Sequence, residues 1–249
     1  LYYYCQNHSG MGGQVNTNTT HGQTNFDGSI LSVQQASIKS GFSIALWQFT
    51  TSSNNTVGHG LGVAPDMMII KSRTTAYNWD VYHKDLTDAT KRLNLNTTGA
   101  ETSGFFVTDP TSTIFTYASN ALSNNDNAIA YCFSEVEGYS KYGTYTGNGS
   151  ATDGAYIFTG FSVAWVMVKR TNSTGSWTIY DNKRNTFNPR SIRLVPNLSN
   201  AEADTSTQAV DFLSNGFKLM SNNTDQNGSG STYIYMAFAE QPFKFSNAR

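Results

Sequence analysis

The chain has 249 residues, of which 38% are hydrophobic and 13% charged, and its formal net charge is −1. No basic run exceeds two residues and no apolar run approaches the ~20 needed to cross a bilayer, so neither nucleic-acid binding nor membrane insertion is expected. Two cysteines, Cys5 and Cys132, exclude a disulfide-dense scaffold.

The charged share is about half the usual ~25%, and the polarity comes from Asn, Ser, Thr and Gly. Aromatic residues at 13% make a disordered chain implausible. The chain begins at Leu1 without a signal peptide, so a longer parent chain is expected. Residues 1–16 (LYYYCQNHSGMGGQVN) read as a strand, a Gly-rich loop and the start of another strand. Residues 17–40 are polar and read as a linker or extension. A first unit spans 41–138. GFSIALWQF alternates as a half-buried strand, and SSNN at 52–55 turns the chain. VGHGLGVAP at 57–65 is Gly-rich without a Lys-Ser/Thr sequel, so it is no phosphate loop. MMII at 67–70 reads as a strand covered on both faces, and WDVYH, GFFVT and NAIAYCFSEVEG supply more. Cys132 sits in the last of these as a buried thiol. LTDATKRL at 86–93 is the one helix candidate. A second unit spans 139–249 and repeats the order: YGTYT, AYIFTGF, VAWVMV, WTIYD, NGFKL and TYIYMAFAE.

The second unit copies the first. Lys71 aligns with Lys169, Trp79 with Trp177 and Tyr82 with Tyr180, each 98 residues apart. YCFSE at 131–135 aligns with MAFAE at 236–240, which pairs Glu135 with Glu240. Short strands at ~8–12-residue spacing with Asn/Gly turns predict an all-β fold. The expected architecture is two tandem, related β-sandwich (jelly-roll-like) units behind a short N-terminal β remnant. The recurring tryptophans are expected to pack inside each unit; an exposed sugar-stacking platform is the rival role.

Few motifs carry chemistry. Glu135 and Glu137, two apart on one expected strand, would share a face as paired carboxylates. Closure of a strand end, or pairing with Lys71 and Lys169, is the plainer reading of Glu135 and its counterpart Glu240. NNDN at 124–127 and DNKRN at 181–185 offer oxygens of the kind calcium takes, without a recognised ligand spacing. No GxSxG, HExxH or Walker loop occurs. Cys5, His8 and Met11 are the ligand types of a type 1 copper centre. This loop resembles the C-terminal end of a cupredoxin-like domain, which would require a second histidine from a preceding part of the chain. His21, His59 and His83 follow the loop and are poor substitutes. No cofactor is expected within these residues; copper is expected only if that preceding part is present.

A broader resemblance rests on FDGSI, GFSIALWQFT, GHGLGVAPDMMIIKSR, WDVYHKDL, CFSEVEGYSKYGTYTGNGS and WTIYDNKRNTFNP. Together they resemble a repeated module of tail-fibre and other appendage proteins of marine tailed phages, cyanophages especially, over roughly residues 26–243. At LWQFT the chain departs from that pattern, which the second unit keeps as YTGNG. The resemblance implies a non-enzymatic virion protein, exposed on the extracellular virion surface and serving assembly and host attachment. Its implied partners are other virion proteins and itself, as a homo-oligomer with a trimer favoured, and a host glycan or protein. Tyr77 and Asn78 are the chosen receptor-contact candidates; their counterparts Gly175 and Ser176 are less well equipped. A carbohydrate-binding, lectin-like module is the alternative, followed by a polysaccharide-degrading enzyme using Glu135 or Glu137.

Overall fold

The computed structural model describes residues 2–4, 12–14 and 22–241. β1 (Tyr2–Tyr4) and β2 (Gly12–Gln14) form a two-stranded ribbon. Cys5, His8, Met11 and His21 lie outside the described residues. The first unit contains β3 (Gln23–Asn25), β4 (Ser32–Ser37), β5 (Phe42–Gln48), β6 (Asn55–Gly58), β7 (Met67–Ser72), β8 (Asp80–His83), β9 (Lys91–Asn94), β10 (Thr102–Ser103), β11 (Phe106–Thr108), β12 (Ile114–Tyr117) and β13 (Asn127–Phe133). The second contains β14 (Ser140–Thr146), β15 (Tyr156–Phe158), β16 (Val163–Arg170), β17 (Thr178–Asp181), β18 (Ile192–Arg193), β19 (Ala203–Asp204), β20 (Ala209–Leu213), β21 (Gly216–Met220) and β22 (Thr232–Ala239). The described residues contain no α-helix. At 86–93 the Asp88 carboxylate accepts hydrogen bonds from the Thr90 amide and hydroxyl. A turn closed by its own side chain competes with helix, and the segment continues as β9.

The duplication holds strand by strand. The first unit carries the order β8-β7-β13-β5 and the second β17-β16-β22-β14. Met68 lies opposite Tyr82 and Cys132, and Val166 opposite Tyr180 and Ala237. Lys71 lies opposite Ile129 as Lys169 lies opposite Ile234. Each unit adds a three-stranded sheet, β11-β12-β6 in one and β20-β21-β15 in the other. The chain is therefore all-β, built of two related sandwiches.

Residues 22–40, read as a linker or extension, extend the first unit instead. β4 pairs with β5 and β3 with β4, widening the first inner sheet to eight strands. Ile30 makes a parallel bridge to Val57 on β6. The polar sequence concealed this because β3 is an edge strand and β4 buries only Ser32 fully.

The four sheets stack in four layers with three apolar fillings. Trp47, Phe49, Met68, Phe115 and Tyr117 fill the first sandwich. Val166, Tyr180, Phe217 and Tyr235 fill the second. Between the two inner sheets lie Met67, Val81 and Leu93 of one unit against Tyr142, Met167, Trp177, Ile234 and Met236 of the other. β7 and β16 thus bury both faces, which explains their unbroken apolar runs. Backbone bonds stitch the units together at Glu101 N to Thr171 O (2.9 Å) and Gly175 N to Thr98 O (2.9 Å).

Candidate functional site

The repeated residues have diverged in environment. Trp177 is 1% exposed, and its indole nitrogen donates to Asn94 O of the first unit at 2.9 Å. Trp79 is only half-buried. Trp177 is buried as a packing residue, but in the filling between the units and not inside the second sandwich as expected. Lys71 donates to Tyr77 O at 2.6 Å. Lys169 is fully buried, donating to Arg170 O (2.7 Å) and Thr98 O (3.3 Å). Burial lowers its pKa to about 8, against the pull of the Asp225 charge. Tyr82 and Tyr180 are both buried, with hydroxyls on Asp109 and on Gln208 and Gln226.

Glu135 and Glu137 do not share a strand face. β13 ends at Phe133, and the chain turns at Val136, whose carbonyl accepts from Tyr139 N at 2.9 Å. Gly138 takes φ +75° in that turn. Glu135 pairs with Lys141 (2.7 Å) and Lys84 (3.7 Å) rather than with Lys71. Glu240 accepts from Ser162 and Asn182, both at 3.2 Å, rather than from Lys169. The two cation-loop candidates spend their carboxylates on their own chain. Asp126 accepts from Thr74, Thr75 and Ser123, and Asp181 from Lys183 and Arg184. Both ring nitrogens of His59 are engaged, with Thr111 O and Leu61 N. Those of His83 meet Tyr235 O and Asp85 N. Among the described residues no three His, Cys, Asp or Glu side chains converge on a metal position.

Tyr77 is 39% exposed, but its hydroxyl is held by Ser123 at 3.0 Å. The Asn78 side-chain carbonyl accepts from Asn96 at 2.9 Å. The equivalent loop in the second unit is docked on the first through Gly175, and Ser176 N is taken by Asp225.

A stronger contact surface lies on the outermost sheet of the second unit. In β15, Ile157 points into the core, while Tyr156 and Phe158 point outward, 47% and 61% exposed. Gly216 stands opposite Phe158, so no side chain on that strand crowds the ring. Lys218 stands opposite Tyr156, with Asp211 beyond it on β20. The Tyr156 hydroxyl donates to Asn215 at 2.9 Å, and Lys218 pairs with Asp153. The lysine's hydrogen bond and charge hold the Asp153 carboxyl below the usual range, while burial pushes Asp211 above it. Two neighbouring rings ringed by carboxylate, ammonium and amide groups suit a saccharide, whose C–H faces stack on rings and whose hydroxyls need donors and acceptors.

In the first unit the matching positions are Thr56 and Gly58, and the chain itself covers them. Ser29 N donates to the Thr56 hydroxyl at 2.8 Å. A side chain on Gly58 would collide with Asn25 at 2.3 Å. The sequence hid the aromatic pair because YIF reads as a continuously buried run. Setting β15 beside β6, where Thr56 and Gly58 stand instead, would have exposed it.

The profile of one protein family, described as a domain of unknown function (DUF7483), matches residues 15–242. No curated protein and no solved structure matches the chain.

Proposed function

We propose, for a chain that belongs to the DUF7483 family, a non-enzymatic role in a tailed-phage virion, as a tail fibre, decoration or other exposed appendage. Its work is assembly with other virion proteins and with itself, and attachment to a host-surface glycan from the extracellular face of the particle. The observation carrying attachment is the outward Tyr156–Phe158 pair on the second unit's outer sheet, which the described residues leave open. The lectin-like reading therefore becomes the finer form of the virion reading, with Asn215, Asp153, Lys218 and Asp211 as the polar rim. Tyr77 and Asn78 become secondary candidates, since their polar groups already serve the loop. The phage origin rests on the sequence resemblance alone.

Binding of the purified chain to polysaccharide from candidate host cells, read by a glycan array and by titration, tests this. Phe158→Ala and Tyr156→Ala should each weaken binding about 10-fold or more. Binding that survives both substitutions moves the site elsewhere, and an absence of saccharide binding up to millimolar removes the attachment reading.

A further inference from the structure

The two inner sheets differ in width, and their alignment leaves a ledge. Trp177, just before β17, bonds to Asn94 on β9, His83 of β8 meets Tyr235 O on β22, and the rings of Tyr142 on β14 and Phe133 on β13 lie 6.4 Å apart. Strands therefore follow the same order on both sides of the interface. The four-stranded sheet stops at β14, above β13. β5, β4 and β3 project past it by three strand widths, ~14 Å.

The projecting face carries no charge. Ser43, Ala45 and Trp47 of β5 are buried in the first sandwich, so Phe42, Ile44 and Leu46 turn to the ledge. Register places Val33 beside Leu46, and Tyr131 and Ile129 beside Ile44 and Leu46. Val33 is 42% exposed, and the other five are half-buried. A groove of about 650 Å³ borders β4, lined by Ser37, Phe42 and Ile44 from the ledge side and by Gln34, Ala36 and Gly60 from its other face.

The step above the ledge is an open strand edge. Ser140 N donates to Val136 O, and Ala239 N to Tyr139 O. These bonds fix the ladder's alternation, so Lys141, Gly143 and Tyr145 bond to β22 while the backbone groups of Tyr142 and Thr144 face away. In the first unit the corresponding edge of β5 is taken by β4. Among the described residues the second unit has no such strand, because those before β14 are β13 of its neighbour.

We infer that a second copy of this chain fills the ledge in a two-fold half-lap joint. A projecting layer beside a step one sheet deep is complementary to itself across a two-fold axis lying between the layers. The ledge of each copy then slides beside β14 of the other, and the two charge-free faces of β5 and β4 meet. Simple β14-to-β14 pairing is excluded, since it would drive both ledges into one space. That same overhang shields the edge from open-ended aggregation. An uncharged face needs no opposite charge on its partner, which suits self-association. The inference stands apart from the attachment reading and does not depend on it.

Sedimentation equilibrium of the full chain tests the joint. The expected result is a dimer, weakened about 100-fold or more by Ile44→Glu on the ledge and by Thr144→Pro on the edge. Circular dichroism melting separates lost association from lost folding. Should either variant misfold, amide exchange of the unaltered chain decides: Tyr142 and Thr144 should exchange more slowly as concentration rises. A monomer, a trimer, a dimer indifferent to both substitutions, or an edge protected only by a different protein's strand would each overturn the proposal.

Discussion

Replacing Lys169 with methionine should flatten a pH dependence that the wild-type chain carries. The ammonium is fully buried between the units, and its pKa falls from 10.5 to about 8 because burial disfavours the charge. The unfolded chain holds that proton more tightly, so between these values unfolding takes up a proton. Stability therefore rises with pH across the window, and below pH 8 the charged lysine costs the fold about 3 kcal/mol, at ~1.4 kcal/mol for each tenfold in proton affinity. From pH 7 to pH 9.5 the gain is about 2 kcal/mol. Tyrosines also titrate near the upper end, so the quantity to measure is the difference between wild type and Lys169→Met in urea unfolding at each pH. The lost bonds to Thr98 O and Arg170 O shift that difference by a constant and leave its slope intact. A difference constant to within about 0.5 kcal/mol would show that Lys169 is neither buried nor perturbed as described.

The duplicated tryptophans should respond unequally. Trp177→Ala removes an interface side chain and its bond to Asn94 O, for about 3–5 kcal/mol, whereas Trp79→Ala should cost about 2 or less; denaturant titration showing equal losses would deny the inter-unit packing. His83 carries an acid-side effect. Burial lowers its pKa from 6.5 to about 4, so its contribution is present above pH 6.5 and is lost as pH falls toward 4. Asp80, raised to about 6 by burial, titrates in the opposite sense and masks this in the wild type. The stability difference between wild type and His83→Gln should therefore shrink by about 2 kcal/mol between pH 7 and pH 5, as measured by urea unfolding at each pH.

The divergence of paired residues marks where sequence reading stopped. Lys71 and Lys169 occupy one register position, yet one bonds to a loop carbonyl at the surface and the other is entombed. Glu135 and Glu137 looked like strand neighbours because nothing local announced that β13 would end at Phe133. Gly138, at φ +75°, was the available signal for that turn. Tyr156 and Phe158 were legible as a strand and illegible as a surface.

The sequence by itself determined the all-β class, most of the strands and the copying of one unit into two, because side-chain alternation and turn chemistry are local and recur at a fixed offset. Only the tertiary structure decided that the sandwiches stack back to back, that residues 22–40 widen one inner sheet, and that one aromatic pair faces solvent. Those outcomes depend on which distant surfaces meet. The Lys169 ammonium ends against a carbonyl 71 positions away, a separation no periodic pattern encodes.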